Sequence, residues 1–241
     1  MPSEATKLRE RWKREGLWDQ YFKSGLDVLD VGAGDDLICP DARRWDREDG
    51  DAQYLVTIPN ASYDIVFSAH CLEHMRRPKE ALANWWRVLR PMGHLIFEVP
   101  DEDLYEQGVW PSRFNDDHKY TFNIFKDLSW SPCPQTMFGL LNNLEYRKVL
   151  SIRTIDTDYR QDDKIWDRTS EPTGEAAIEV IIQKCTMQFE LMTNLKNMYR
   201  CPTCHWNELI VRGETAEGKL MFLCHCCGQT GFIKTDFSVN A

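Results

Sequence analysis

Two pairs of cysteines near the C-terminus have the spacing of metal ligands. Cys201 and Cys204 form one CxxC pair, Cys224 and Cys227 form the other, and nineteen residues separate the pairs. Four thiolates in this pattern satisfy the tetrahedral geometry of zinc, and the segment between the pairs can form a hairpin. The spacing predicts a zinc ribbon, whose metal is structural because a site closed by four cysteines leaves no position for a substrate.

Other ligand arrangements remain open for this tail. Cys226 or His205 could replace one of the four ligands, and a disulfide between Cys204 and Cys227 is the lesser alternative. Residues 201–241 hold three basic and four acidic side chains, so they lack the positive charge of a nucleic-acid site. A protein partner or a purely structural cap is the expected role.

A glycine turn follows a short apolar run in the first part of the chain. Residues 26–31 (LDVLDV) have the pattern of a buried parallel strand, which ends at Gly32-Ala33-Gly34. Glycines let the backbone turn sharply and approach a ligand closely. A dinucleotide site would require a third glycine where Leu37 stands, and Asp35 and Asp36 would repel a pyrophosphate. The turn therefore favours a cationic or zwitterionic ligand.

The following segments predict the elements that would position this turn. Residues 64–69 and 94–99 repeat the short-strand pattern, and residues 77–90 between them carry the apolar face of a helix that ends at Pro91-Met92-Gly93. A strand, a helix and a strand in this order indicate an open α/β sheet with parallel strands. Residues 176–183 predict a last strand that closes the sheet.

The remaining segments indicate the domain organisation. Residues 101–130 are predicted to form a long loop at the carboxyl edge of the sheet, where ligands bind in such folds, and residues 156–175 an exposed loop. The predicted domains are, in chain order, an N-terminal helical segment at 1–24, the sheet domain at 25–184, a linker at 185–200 and the zinc ribbon at 201–241.

The composition excludes several classes of protein. The chain has 241 residues, 42% of them apolar, and no apolar run approaches the ~18 to 20 residues that span a bilayer. No secretory signal is visible in the polar N-terminus, and the paired cysteines suggest a reducing compartment, so a cytoplasmic protein without a membrane partner is expected. A net charge of −9 argues against a broad nucleic-acid surface.

Four segments resemble, in order, the consecutive motifs of class I S-adenosylmethionine-dependent methyltransferases. They are LDVGAG (29–34), GDAQYL (50–55), YDIVFSAHCLEHM (63–75) and RVLRPMGHLIFEVP (87–100). The resemblance covers residues 20–184 and implies the Rossmann-like open sheet of that family, with S-adenosylmethionine as cofactor. Residues 105–122 are similar to a subgroup associated with the modification of sugars and surface polysaccharides, which implies a small-molecule or carbohydrate-like acceptor.

The resemblance also implies which residues hold the cofactor. Asp46 would bind the ribose hydroxyls, because a carboxylate can accept two hydrogen bonds from a diol. Only eleven residues separate Gly34 from Asp46, so either the first crossover helix is reduced to a turn or Asp46 is a solvated surface carboxylate. The other implied positions are Asp30, Gly32, Ala33 and Gly34 near the methionine and ribose, Asp51 and Ala52 at the adenine, and Ser68 beside the methyl group.

Histidines are the expected general bases for methyl transfer to a hydroxyl. His70 follows a strand end and His118 lies in the long loop, although a histidine in such a place is often merely hydrogen-bonded in position. Glu73 and His74 are expected to fix the following loop. The loop also offers aromatic and polar residues that either line a sugar pocket or pack together, namely Tyr105, Trp110, Arg113 and Asn115.

Three functions follow from these observations. The first is methyl transfer to an oxygen of a small or carbohydrate-like acceptor. The second is an inactive cofactor-binding scaffold that recruits partners through the zinc ribbon. The third is methylation of a protein or nucleic acid, against which stand the acidic charge and the sequence SAHC at 68–71, where an amino-group methyltransferase would have an N/D-P-P-Y/F segment.

Overall fold

The structure is a computed structural model that describes residues 2–159 and 166–186. In the tail it describes residue 227 and the backbone of residues 209–214, 219–224 and 230–234. The chain divides into two compact units, residues 1–185 and residues 186–241.

The first unit is built on a six-stranded sheet. The strands of the whole unit are, in chain order, β1 (Val28–Val31), β2 (Arg43–Trp45), β3 (Tyr63–Ala69), β4 (Leu89–Pro100), β5 (Thr121–Asn123), β6 (Pro134–Thr136), β7 (Arg147–Ile155) and β8 (Ala177–Lys184). The sheet order is β2-β1-β3-β4-β8-β7, and β5 pairs with β6 separately. Strand β8 runs antiparallel to both of its neighbours, whereas the other strands of the sheet share one direction. The unit is therefore a mixed, open α/β sheet.

The helices of this unit cover both faces of the sheet. They are α1 (Glu4–Glu15), α2 (Trp18–Tyr21), α3 (Pro78–Val88) and α4 (Met137–Leu141). Leu8 and Trp12 of α1 pack on one face with Phe67, and Trp85 of α3 packs on the other face with Val66. Successive strand residues point to opposite faces, so each strand contributes to both cores. No described helix is long and apolar enough to cross a bilayer.

Local signals at the ends of α1 and α3 explain where these helices begin and end. The Ser3 hydroxyl caps α1 by accepting from the Thr6 amide, and Gly16 ends it in the left-handed conformation. Helix α3 begins at Pro78, which suits the first turn because its missing N–H would have no helical partner there. The helix predicted at 77–90 is confirmed, but it ends at Val88 because the chain is already extended at Leu89, the first residue of β4.

Two expectations about the sheet have different outcomes. The chain between β1 and β2 contains no helix, so the shortened first crossover is confirmed. Strand β8 forms where residues 176–183 predicted one, but the prediction that it closes the sheet is wrong. Strand β8 lies between β4 and β7, because β7 pairs along its outer side and covers it.

The second unit contains a three-stranded antiparallel sheet. Strands β9 (Leu209–Glu214) and β10 (Lys219–Cys224) form the hairpin predicted between the cysteine pairs, and β11 (Thr230–Lys234) pairs with the other side of β10. Cys224 is the last residue of β10, and Cys227 is exposed. Cys201 and Cys204 lie outside the described residues, so the four-cysteine zinc site stays a prediction.

Candidate functional site

A cavity of about 800 Å³ opens where β1, β2 and β3 end. Its lining comes from three segments, 32–35, 44–52 and 70–75, and from Asp117 of the loop that follows β4. The sheet places these segments together because β1, β2 and β3 are parallel neighbours, so their carboxyl ends meet at one edge. The cavity therefore lies where ligands bind in open α/β sheets.

The two glycines of the turn have different structural roles. Gly32 has a φ of 75°, and a Cβ there would lie 2.6 Å from the Cys71 sulfur, so no larger residue can be accommodated without movement. Gly34 also has a positive φ, but no atom lies within 4 Å of the place its Cβ would take. Gly32 thus lets the turn pack closely against Cys71, whereas Gly34 leaves open space at the cavity wall.

Asp46 is fixed against the glycine turn. It follows the last residue of β2, and its Oδ2 accepts a hydrogen bond of 2.7 Å from the Gly34 amide. Partial burial by itself would raise the pKa of Asp46, but hydrogen bonds from the Arg47 and Gly34 amides lower it below its ordinary value. The carboxylate is therefore ionised and lines the cavity.

Asp51 and Ala52 form a second part of the cavity wall. The Asp51 Oδ1 accepts from the Gln53 amide at 2.8 Å, and the Ala52 carbonyl accepts from the Trp85 indole at 2.8 Å. The indole comes from α3, so this helix holds the segment after β2 in place. Both residues line the cavity, and their predicted contact with the adenine stays a prediction.

Three predicted cofactor residues do not line the cavity. Asp30 is buried, its Oδ2 accepts from the Ile38 amide at 2.7 Å, and burial raises its pKa to about 7. The Ser68 hydroxyl is buried and donates to the Val31 carbonyl at 2.9 Å. Ala33 also lies outside the lining. Asp30 and Ser68 therefore brace the strands beneath the turn.

The two candidate bases lie on opposite sides of the cavity wall. His70 lines the cavity in a left-handed conformation, with a φ of 50°, and burial together with the nearby His118, Lys7 and His74 lowers its pKa to about 3. His118 is buried behind the wall, where its Nδ1 lies 2.7 Å from the Glu106 Oε1. A neutral His70 can accept a proton from a ligand, whereas His118 does not reach the cavity.

The long loop contributes less to the wall than expected. Of its residues only Asp117 lines the cavity, and Tyr105 is buried with its ring centroid 5.3 Å from that of His118. Trp110, Arg113 and Asn115 are not in the lining. The sugar pocket predicted from these side chains is not formed by them in this cavity.

Glu73 and His74 lie in a 3-10 helix, Leu72–His74, directly after β3. The Glu73 carbonyl accepts from the Lys119 amide at 2.9 Å, which ties the long loop to this helix. The role of Glu73 and His74 in fixing the loop that follows them stays a prediction. The Glu73 carboxylate points inward and is fully buried, and burial raises its pKa to about 8. No pattern along the chain indicated that its side chain would meet His118.

Residues 38–97, about a quarter of the chain, match the family model of a methyltransferase domain. A comparison with curated proteins gives no match. An S-adenosylmethionine-dependent methyltransferase structure from Archaeoglobus fulgidus is 19% identical with a TM-score of 0.48, and the match covers 76% of this chain and 95% of that one. Another from Aquifex aeolicus is 14% identical with a TM-score of 0.42, covering 76% and 98%.

Similarities of this size leave the function to be argued from the site itself. The matched segment begins after the glycine turn and ends within β4, so it includes Asp46, Asp51, His70 and Glu73. The part of the chain that forms most of the cavity wall is thus similar to a methyltransferase domain.

Proposed function

We propose that this chain transfers a methyl group from S-adenosylmethionine to an oxygen of a small or carbohydrate-like acceptor. The observation that carries the proposal is the cavity itself, which joins the glycine turn, Asp46 and Asp51 at the carboxyl ends of parallel strands. The similarity of residues 38–97 to a methyltransferase domain supports the same function.

The charges of the lining suit a ligand with a positive centre. Asp35, Asp46, Asp51 and Asp117 line the cavity with Arg44 and Arg47, so carboxylates outnumber guanidinium groups. S-adenosylmethionine carries a sulfonium and an ammonium group, whereas a dinucleotide would bring a pyrophosphate to the same place. The cavity therefore fits the sulfonium cofactor better.

Each wall segment has a distinct role in this proposal. Asp46 would accept hydrogen bonds from the ribose hydroxyls, and Asp51 would accept one from the adenine amino group, with Ala52 beside the ring. The open space at Gly34 would let the cofactor lie against the backbone. When bound, the cofactor supplies an already activated methyl group, so the protein must mainly orient the acceptor and exclude water.

His70 is the proposed proton acceptor for a hydroxyl substrate. It faces the cavity, and its neutral ring has a nitrogen that can accept a proton, but the burial that lowers its pKa also makes it a weak base. His118 would act through its neighbours, since it lies behind the wall.

The cysteine pairs complete the proposal at the other end of the chain. We propose that Cys201, Cys204, Cys224 and Cys227 hold a structural zinc ion, which a reducing compartment such as the cytoplasm would preserve. The β9–β10 hairpin between the pairs supports this arrangement. The resulting ribbon would offer a surface to a protein partner.

Calorimetric titration of zinc-loaded protein with S-adenosylmethionine and S-adenosylhomocysteine tests the cofactor site. We expect Asp51→Ala to weaken binding by about 10-fold or more, because a hydrogen bond to a charged group contributes ~1.5 to 3 kcal/mol. Asp41→Ala is the matched control, since Asp41 is exposed and does not line the cavity. Absence of binding to the unmodified protein would exclude the methyltransferase proposal and favour a scaffold without transfer activity.

A further inference from the structure

His74 lines the cavity, Glu73 and His118 lie behind it, and the three residues form the Glu73 cluster. One donor atom from each residue lies within 4.8 Å of the other two. The Nε2 atoms of both histidines lie 3.9 Å from the same oxygen, Oε1 of Glu73. These separations are too long for hydrogen bonds, so the three side chains converge without bonding to each other.

The Glu73 carboxylate has no hydrogen-bond partner among the other described residues. The side chain is 0% exposed, and the nearest imidazoles do not donate to either of its oxygens. Its ion-pair neighbours in the described part of the chain are the imidazoles of His70, His74 and His118, and no lysine or arginine is among them. A buried carboxyl group without a bonding partner is costly, and a bound cation is a group that would supply that partner.

The far nitrogen of each histidine is held by a second carboxylate. Nδ1 of His118 lies 2.7 Å from Oε1 of Glu106, and Nδ1 of His74 lies 3.1 Å from Oδ2 of Asp117 and 3.4 Å from the backbone carbonyl oxygen of the same residue. Hydrogen bonds of this kind fix the tautomer in which Nδ1 carries the proton and Nε2 presents a lone pair. Each Nε2 then carries a lone pair at 3.9 Å from the Glu73 carboxylate, and metal-binding histidines are held by their other nitrogen in the same way.

We propose that Glu73, His74 and His118 bind a divalent first-row transition metal ion. Two imidazoles and one carboxylate are a common ligand set for zinc and for ferrous iron, and such sites keep positions open for other ligands. An ion among the three donor atoms would draw each of them inward by a few tenths of an ångström to reach distances of ~2.0 to 2.2 Å.

The ion would lie next to the space where a substrate enters. His74 lines the cavity together with His70 and Asp117, so one ligand of the ion borders the space that a substrate would fill. We assign the open positions of the ion to an oxygen of the methyl acceptor, an assignment that rests on the proposed methyl transfer. The ion would orient the acceptor, and binding of the ion itself does not depend on that function.

Cobalt titration tests the site separately from the cysteines. Protein loaded with one equivalent of zinc is titrated with Co²⁺ by calorimetry and visible absorption, without S-adenosylmethionine. We expect one further Co²⁺ per chain, with the weak visible bands of nitrogen and oxygen ligands and without the intense near-ultraviolet band of thiolate ligands. Glu73→Gln and His118→Ala should weaken this binding by ~100-fold or more, and Glu106→Gln by ~10 to 100-fold.

His94→Ala is the matched control, because His94 lies on β4 beside Tyr21 and outside the cluster. It should bind Co²⁺ as the unmodified protein does. Thermal melting of Glu73→Gln, whose side chain has nearly the same shape, shows whether lost binding reflects lost folding. Equal Co²⁺ binding by Glu73→Gln and the unmodified protein would overturn the proposed site. Absence of a second bound ion in both proteins would overturn it as well.

The role of the ion is tested with the same variant. We expect Glu73→Gln to bind S-adenosylmethionine with unchanged affinity but to lose methyl transfer to a sugar alcohol at least ~100-fold. Cobalt binding without binding of S-adenosylmethionine would keep the metal site and remove the methyltransferase proposal. Unchanged transfer by Glu73→Gln would remove the role assigned to the ion.

Discussion

Two buried clusters in the first unit, each with at least one carboxylate, differ in which groups lie beside the carboxylates. One is the Arg11 cluster, formed by Arg11 of α1 with Glu98, Glu175 and Glu179, and the other is the Glu73 cluster. In the Arg11 cluster the guanidinium lies 3.0 Å from Glu175, 2.9 Å from Glu179 and against Glu98. In the Glu73 cluster the carboxylate has imidazoles at 3.6 to 3.9 Å and no hydrogen bond from another described residue.

The difference shows that a buried carboxylate can either hold two elements together or form part of a site for a ligand. Glu98 and Glu179 are paired across β4 and β8, and α1 supplies the cation that lets both stay inside. Arg153 adds a second guanidinium at 2.8 Å from Glu179. The Arg11 cluster thus takes its cations from within the chain and holds α1 on the sheet. The Glu73 cluster brings three possible metal-ligand atoms together, but no lysine or arginine of the described segments pairs with Glu73. This is expected of a site that takes its cation from solution.

The largest expected effect is on the Arg11 cluster. Arg11→Met should destabilise the protein by ~3 to 5 kcal/mol, because it leaves buried carboxylates without their cation. Arg14→Met on the exposed side of the same helix is the control and should change the free energy of unfolding by less than ~0.5 kcal/mol. Urea denaturation measures both, and equal stability of the two variants would show that the cluster does not hold α1.

Asp30 is a further buried carboxylate, held by a backbone donor rather than by a described lysine or arginine. Burial raises its pKa in the folded protein to about 7, above the ~3.9 of an unfolded chain. The folded state therefore holds the proton more tightly, and this contribution to stability is present below pH ~4 and lost as the pH rises to about 7.

Asp30→Asn should remove this dependence. Relative to the variant, the unmodified protein is expected to lose up to ~4 kcal/mol between pH ~4 and ~7 and little more above it. Urea denaturation at several pH values measures the difference. A difference that stays constant over this range would mean that Asp30 is not desolvated in solution.

The next largest expected effect is the gain in stability when Co²⁺ is added, which should depend on the Glu73 cluster and not on the Arg11 cluster. At a Co²⁺ concentration of ~100 times the dissociation constant, zinc-loaded protein should gain ~2.7 kcal/mol in its free energy of unfolding. Arg153→Met should gain as much, because it changes only the Arg11 cluster, whereas Glu73→Gln should gain nothing. A gain retained by Glu73→Gln would assign the Co²⁺ to another part of the chain.

The smallest expected effect is the loss of the half-exposed cation. Arg153→Met should cost ~1 kcal/mol or less, because Arg153 is partly solvated and Arg11 still pairs with Glu179. Thermal melting against the unmodified protein measures this cost. A loss as large as that of Arg11→Met would mean that the two guanidinium groups neutralise the cluster together.

The sequence by itself determined the local parts of the cavity. The apolar run before Gly32 predicts β1, the periodicity of residues 77–90 predicts α3, and the short distance from Gly34 to Asp46 predicts a crossover without a helix. These features depend on neighbours a few residues apart, so their pattern is visible along the chain. Strand β7 was missed because it is an edge strand, and its largely exposed residues carry a weak apolar pattern.

The tertiary structure decided what surrounds each buried charge. Glu73 and His118 are far apart along the chain, and their meeting depends on how the loop after β4 folds back over the end of β3. Arg11 reaches Glu98, Glu175 and Glu179 only because α1 covers that face of the sheet. Burial and pairing of charges arise from contacts between distant segments, so the residue types could suggest candidates but not which carboxylate would lack a cation.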